Sequence, residues 1–320
     1  MLLFDKGYLE IRNTNIHPLS KIYLQYRQLK NNNIKSILLN KATNVKKINT
    51  NEYIFYFNNK DDILKGILGD IFLFYIKTIL QKKDFELIFN DNKISPNWNI
   101  VTYYYKAFYA SSLLLRLCFR GNLFLDLEYK KCLEYIVTIH TGEVIKLDSN
   151  YFYYIEPIDD LYQLRIEKSQ HNTHETVWEK MNILLQQILL LSNSNSDEQA
   201  FLHSCLDINQ KLGNKFPSQL RNRVNYQPLY GLKAVDKELY SITENGNWVK
   251  EILSFDVKDV KNNDNRIANV FVAYSLYIEK FAFRLIQDYF AMSNREDHIL
   301  AYINKFREDK IEISEIPFFY

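Results

Sequence analysis

Whatever chemistry this chain performs rests on a few polar side chains set among apolar ones. In Leu220-Arg221-Asn222-Arg223-Val224-Asn225-Tyr226, Arg221 and Asn225 are spaced i, i+4, and so are Asn222 and Tyr226. On a helix each pair shares a face, and the resulting polar cluster suits a phosphate or the carboxylate of a partner. His171-Asn172-Thr173-His174-Glu175 places two imidazoles i, i+3 beside a carboxylate. That is neither the H-E-x-x-H nor the H-x-x-E-H order and no third ligand is evident, so no metal is expected there. The same residues read as a helix start, with Asn172 as cap, Glu175 closing a capping box against the N-terminal dipole, and His174 hydrogen-bonding nearby.

Lys106, Arg116 and Arg120 form a third group. At about 100° per residue they fall within roughly one 80° sector of a helix, with Tyr103 and Tyr109 beside them. Two readings are open. The long side chains reach solvent or pair with acids of a neighbouring helix, or they converge with Arg221-Asn222-Arg223 on one groove for an RNA backbone or an acidic partner. Other chemistries lack their motifs. There is no G-x-x-x-x-G-K-[ST] phosphate loop, no G-x-S-x-G elbow and no C-x-x-C pair, so ATP hydrolysis, serine hydrolysis and a thiolate zinc site are not expected.

The elements that must position these residues are mostly helical. Pro18 can open a short helix through Ile22, Tyr26 and Leu29, and Tyr53 to Phe57 is a β-prone run. Asp61-Asp62 begin a helix whose apolar residues keep helical period to about Lys82. Ser95 as cap and Pro96 at the first turn open the next helix, apolar nearly all round from Trp98 to Arg120, with Gly121 fitting a C-cap. Then come β-prone stretches at Tyr135 to His140, Val144 to Leu147, Tyr151 to Ile155 and Leu161 to Ile166. They predict a small antiparallel insertion of three or four strands near 133–167. Helices resume behind Asn172, with Val177, Met181, Leu184, Leu185 and Ile188 as the apolar face. After a polar loop at Ser192 to Ser196, Phe216-Pro217-Ser218 opens a short helix that Pro228 and Gly231 end. Asp264 caps the longest helix, which keeps its apolar period to about Phe290, and Ile299 to Phe306 makes the last one.

Composition agrees. With 320 residues the chain has room for two average domains or one large domain with an insertion, and the division expected is a mixed α/β region over 1–92 and a helical domain over 93–320. Apolar residues at 47% and charged residues at 24% exclude a disordered chain, and 8 Gly with 6 Pro exclude a turn-dense all-β protein. The 24 Tyr and 21 Phe foretell a core of large rings. A net charge of +2 is too small to imply nucleic acid or membrane by itself. Cys118, Cys132 and Cys205 are too few and too scattered for a disulfide framework. Charges interrupt every greasy window, and an acidic residue follows the first four residues. No transmembrane span or signal peptide is expected, and the chain reads as cytoplasmic.

The run Trp98-Asn99-Ile100-Val101-Thr102-Tyr103-Tyr104-Tyr105-Lys106-Ala107-Phe108-Tyr109-Ala110-Ser111-Ser112-Leu113-Leu114 resembles the tyrosine-rich helix of HEPN-superfamily proteins. Thr173 to Trp178 and Leu220 to Tyr226 look like later motifs of larger HEPN-like proteins from multi-gene defence loci, so the resemblance spans roughly residues 95–290 in three short stretches. It implies a mainly α fold, an HEPN-like helical bundle carrying the small antiparallel β insertion, and a place in a bacterial anti-phage or abortive-infection system. In ribonuclease members an Arg followed four to six residues later by His cleaves RNA without metal or other cofactor: the guanidinium holds the phosphate and an imidazole near pKa ~6.5 moves the 2′-hydroxyl proton. Here Arg221-Asn222 matches the opening, but Tyr226 stands where His is expected, and phenols ionise only near pH ~10. Arg165…His171 satisfies the spacing formally, from a strand and a helix start rather than a bundle helix.

The expectation is therefore an accessory, non-catalytic, partner-binding subunit. The alternative is a metal-independent endoribonuclease using Arg221, Asn222 and Tyr226, or Arg165 and His171. Lys106, Arg116, Arg120, His174, Arg223 and Asn225 are the candidate binding residues. Other proteins of the same defence system are the expected partners, RNA or DNA is the second class, and a homodimer is open because such bundles often pair through their motif faces.

Overall fold

In the computed structural model, residues 6–24, 28–29, 31–89, 96–193, 196–226, 248–255 and 264–294 are described. Contacts divide the chain into two compact units. The first comprises Met1–Arg12, Tyr75–Leu114 and Trp178–Arg284, and the second comprises Asn13–Phe74, Leu115–Val177 and Leu285–Tyr320. Among the described residues the fold is mainly helical with one five-stranded antiparallel sheet. No helix among them is long and apolar enough to cross a membrane.

The second unit holds the sheet, ordered β1-β2-β5-β4-β3. Its strands are β1 (Asn44–Asn49), β2 (Glu52–Tyr56), β3 (Arg120–Phe124), β4 (Asn150–Ile158) and β5 (Leu161–Lys168). Alternation explains the faces: Tyr53 and Phe55 on β2 and Leu164 and Ile166 on β5 are buried, while Glu52, Gln163, Arg165 and Glu167 stay half-exposed. The register pairs Ile54 with Arg165, Arg165 with Tyr154, and Tyr154 with Arg120. The sheet is thus no local insertion, because β5 pairs with β2 from the N-terminal part of the chain.

Three expectations about elements are corrected here. Tyr135 to His140 lies in helix α6 (Leu127–Thr141), not in a strand. Asp126 caps α6 by accepting from Tyr129 N, Gly142 closes it at φ 72°, and Leu133 and Val137 bury one face at helical spacing. Val144 to Leu147 forms no strand either. The Thr138 hydroxyl accepts from Ile145 N and Glu134 Oε1 accepts from Leu147 N, so α6 side chains take the N–H groups that a ladder would have used. The tyrosine-rich helix α5 (Pro96–Leu117) stops before Arg120. Phe119 turns the chain with φ 58°, and Gly121 lies in β3, where an added Cβ would come within 2.8 Å of Tyr153 Oη.

The remaining short helices of this unit include α2 (His17–Ser20), which stops well short of Leu29, and α3 (Ile34–Lys41), capped by Asn33. Helix α1 (Lys6–Ile11) belongs to the first unit and is followed by a π-helical turn, Arg12–Ile16. Helices α4 (Lys60–Phe89), α5, α7 (Thr173–Leu191) and α11 (Asp264–Ser293) contribute residues to both units. The first unit is completed by α8 (Asp197–Leu212), α9 (Phe216–Tyr226) and α10 (Trp248–Leu253). Its core is the expected mass of rings: Trp178 lies between Tyr104, Phe271 and Tyr274, and Phe201 packs on Tyr277. The Ser95 cap, the Pro228 and Gly231 stop and the Ile299 to Phe306 helix lie outside the described residues.

Candidate functional site

Helix α9 shows why the cluster around Arg221 takes the form it does. Phe216, Pro217, Ser218, Leu220 and Val224 are buried, which turns Gln219, Asn222, Arg223, Asn225 and Tyr226 outward and leaves Arg221 half-buried at the boundary. Beneath it lies Tyr104 of α5. The Arg221 guanidinium sits 5.3 Å from the Tyr104 ring centroid. The Tyr104 hydroxyl lies 3.0 Å from Ser218 Oγ and accepts from Trp178 Nε1 at 3.2 Å. Beside it, Tyr103 donates to the Val272 carbonyl at 3.2 Å. The tyrosine-rich helix and Arg221 therefore meet, within the first unit.

Burial sets the state of the phenol beneath Arg221. Burial raises the Tyr104 hydroxyl above the usual phenol range, and Ser218, Trp178 and Arg221 pull it only part of the way back. Arg221 Nε is buried and finds no hydrogen-bond partner among the described residues. Tyr226, the residue at the position where the resembled motif has His, is 75% exposed at the end of α9. A guanidinium seated on a ring, next to outward amides, a second guanidinium and a phenol, can grip an anionic or hydroxyl-bearing group.

The other residues singled out in the sequence sit elsewhere. Arg165 on β5 is held by carboxylates: its Nε and Nη2 reach Glu156 Oε1 at 3.1 and 2.9 Å, and Nη1 lies 3.4 Å from Glu52 and 3.5 Å from Glu167. Its guanidinium also stacks 4.4 Å from the Tyr154 ring centroid. His171 Nδ1 lies 3.6 Å from Glu175 Oε2, one turn on. Asn172 Oδ1 accepts from Glu175 N at 3.1 Å, the helix-start geometry, with His174 half-buried in the first turn of α7. Arg165 and His171 thus each have carboxylates of their own.

The cationic stripe divides likewise. Lys106, in the first unit, is buried with Nζ 2.7 Å from Glu279 Oε2 and 4.8 Å from the Tyr103 ring centroid. Arg116, in the second unit, has Nε 3.7 Å from Asp70, donates from Nη2 to the Asn122 carbonyl at 3.2 Å, and stacks 3.6 Å from the Phe74 ring centroid. Arg120 donates to the Cys118 carbonyl from β3, so it is not on the helix at all. Lys106 and Arg116 therefore follow the first of the two readings, pairing with acids of neighbouring helices.

Sequence reasoning missed the partners: Ser218 and Trp178 around Tyr104, Asp70 for Arg116, and Glu279 for Lys106. Only Glu279 left a trace, as the one acidic residue in the apolar centre of α11. Comparison of the chain with protein-family models, curated proteins and solved structures finds no match in any of the three.

Proposed function

We propose that this chain acts by binding rather than by turnover, as an HEPN-like, non-catalytic subunit of a cytoplasmic bacterial anti-phage complex whose other members are its partners. The observation that carries the reading is the seating of Arg221 on Tyr104 while the exposed Tyr226 stands in place of an imidazole. A metal-free ribonuclease site needs a proton acceptor poised near neutrality, and α9 carries no histidine. Asn222, Arg223, Asn225 and Tyr226 instead present a guanidinium, two carboxamides and a phenol to solvent, a composition that recurs at protein interfaces. The defence-complex part rests on the resemblance of the tyrosine-rich helix and of the α9 motif.

Co-expression with the products of neighbouring genes tests it. A stable complex is expected, weakened by Arg223→Ala with Tyr226→Ala while the circular dichroism spectrum stays unchanged. The purified chain should leave RNA intact in EDTA. RNA cleavage that Arg221→Ala abolishes would overturn the reading in favour of a metal-independent endoribonuclease.

A further inference from the structure

A second polar feature of the first unit involves none of these residues. Helices α7 and α8 enclose an open groove of about 510 Å³. Asn182 and Gln186 line it from α7, and His203, Leu206, Asp207 and Gln210 from α8. Asn214, just past the end of α8, closes one side. Four of the seven lining residues therefore carry carboxamides, Asn182 and Gln186 of them one helical turn apart.

The floor points to a ligand. Asn182 is only 5% exposed, and its Oδ1 accepts from Asn209 Nδ2 at 2.9 Å. Asn209, 2% exposed, is in turn bonded to Tyr274. A buried pair of amides replaces apolar packing between two helices and is unfavourable unless each polar group is satisfied. One end of the Asn182 carboxamide is locked by Asn209. The other borders the groove with no protein partner among the described residues. It is a preoriented donor facing an open volume.

The lining also selects the ligand class. Among the described residues no Lys or Arg lines the groove, and His203 is the one imidazole there, so the fixed guanidinium or ammonium that usually holds a phosphate or carboxylate is missing. The single acid, Asp207, is balanced on the rim by Lys211 at 2.6 Å. Among the described residues no Phe, Tyr or Trp offers a stacking face for a nucleobase, and Leu206 alone cannot hold a lipid. Carboxamides each combine two N–H donors with a two-lone-pair acceptor, which matches the paired hydroxyls of a polyol. The volume falls in the range of small-molecule sites, roughly 300–1,000 Å³. We propose that the α7–α8 groove binds a small, neutral, polyhydroxylated molecule of the sugar class, anchored by Asn182 and flanked by Gln186 and Gln210. This does not depend on the role assigned to α9.

Calorimetric titration of the full chain with glucose, maltose and, as the charged control, inorganic phosphate tests the proposal. Saturable binding of at least one sugar is expected, weakened about tenfold or more by Gln186→Ala with Gln210→Ala. Both side chains are exposed, so the unfolding midpoint of that variant should match the parent. Asn182→Leu, if folded by circular dichroism, should abolish binding. Absence of sugar binding up to about 10 mM, far above ordinary weak affinities, would overturn the proposal. So would binding undiminished in the double variant, or saturable phosphate binding that the double variant loses.

Discussion

Lys106 and Glu279 show how a cation of the stripe becomes part of the core. Their charged atoms are 2.7 Å apart with side chains 6% and 8% exposed, and Lys82 Nζ stands 4.0 Å from the same carboxylate. Removing one partner leaves a buried charge uncompensated, which costs about 3–5 kcal/mol, whereas replacing both with apolar residues of similar volume is often neutral or stabilising. Lys106→Met should therefore lower the urea midpoint sharply, and Lys106→Met with Glu279→Leu should recover most of the loss. A single variant as stable as the parent would show that the pair contributes no such coupling. In the sequence, Lys106 marks only a polar interruption of an apolar helix. Its partner lies 173 positions on, and no local spacing connects the two.

Among elements, α6 carries the clearest lesson and a pH signature. Tyr-Ile-Val-Thr-Ile at 135–139 favours a strand by residue type, yet Asp126 at the start, Gly142 at the end, and buried Leu133 and Val137 between them select a helix. The Tyr129 N–H bond holds the Asp126 carboxyl below the usual carboxylate range, and Lys35 at 3.5 Å adds to it. A carboxyl depressed in the folded state stabilises fully above its unfolded pKa, about 4, and that stabilisation is lost as pH falls through the lower folded value. Stability of the parent should accordingly decline on acidification below about pH 4 more than that of Asp126→Asn, which keeps a capping oxygen without the charge. Parallel pH–stability profiles for the two proteins would remove Asp126 from the account.

For the whole molecule, the three cysteines give one thiol to solvent and one buried thiol to each unit. Cys132 on α6 is exposed, whereas Cys118 in the second unit and Cys205 in the first are buried. Burial pushes the Cys118 thiol up to about 12 and raises Cys205 further, so neither supplies thiolate near neutral pH. Alkylation of the native protein at about pH 8 should add one label within minutes, and three after denaturation, by intact mass. Two or three rapid labels on the native protein would contradict the burial of these side chains.

What residue order alone determined is the local part. Helical period placed α4, α7 and α11, start residues and apolar content placed α5 and α9, a capping box placed the start of α7, and β-prone residue types placed β2, β4 and β5, because each signal lies within a few turns or a few strand residues. The meeting of the tyrosine-rich helix with Arg221 followed from a resemblance and not from spacing. Tertiary structure decided which cations are buried against acids, that β5 pairs with β2, and that Asn182 and Asn209 leave an amide facing a groove. Those outcomes join residues tens to hundreds of positions apart, where burial and charge neutralisation act through space and local pattern carries no record of the partner.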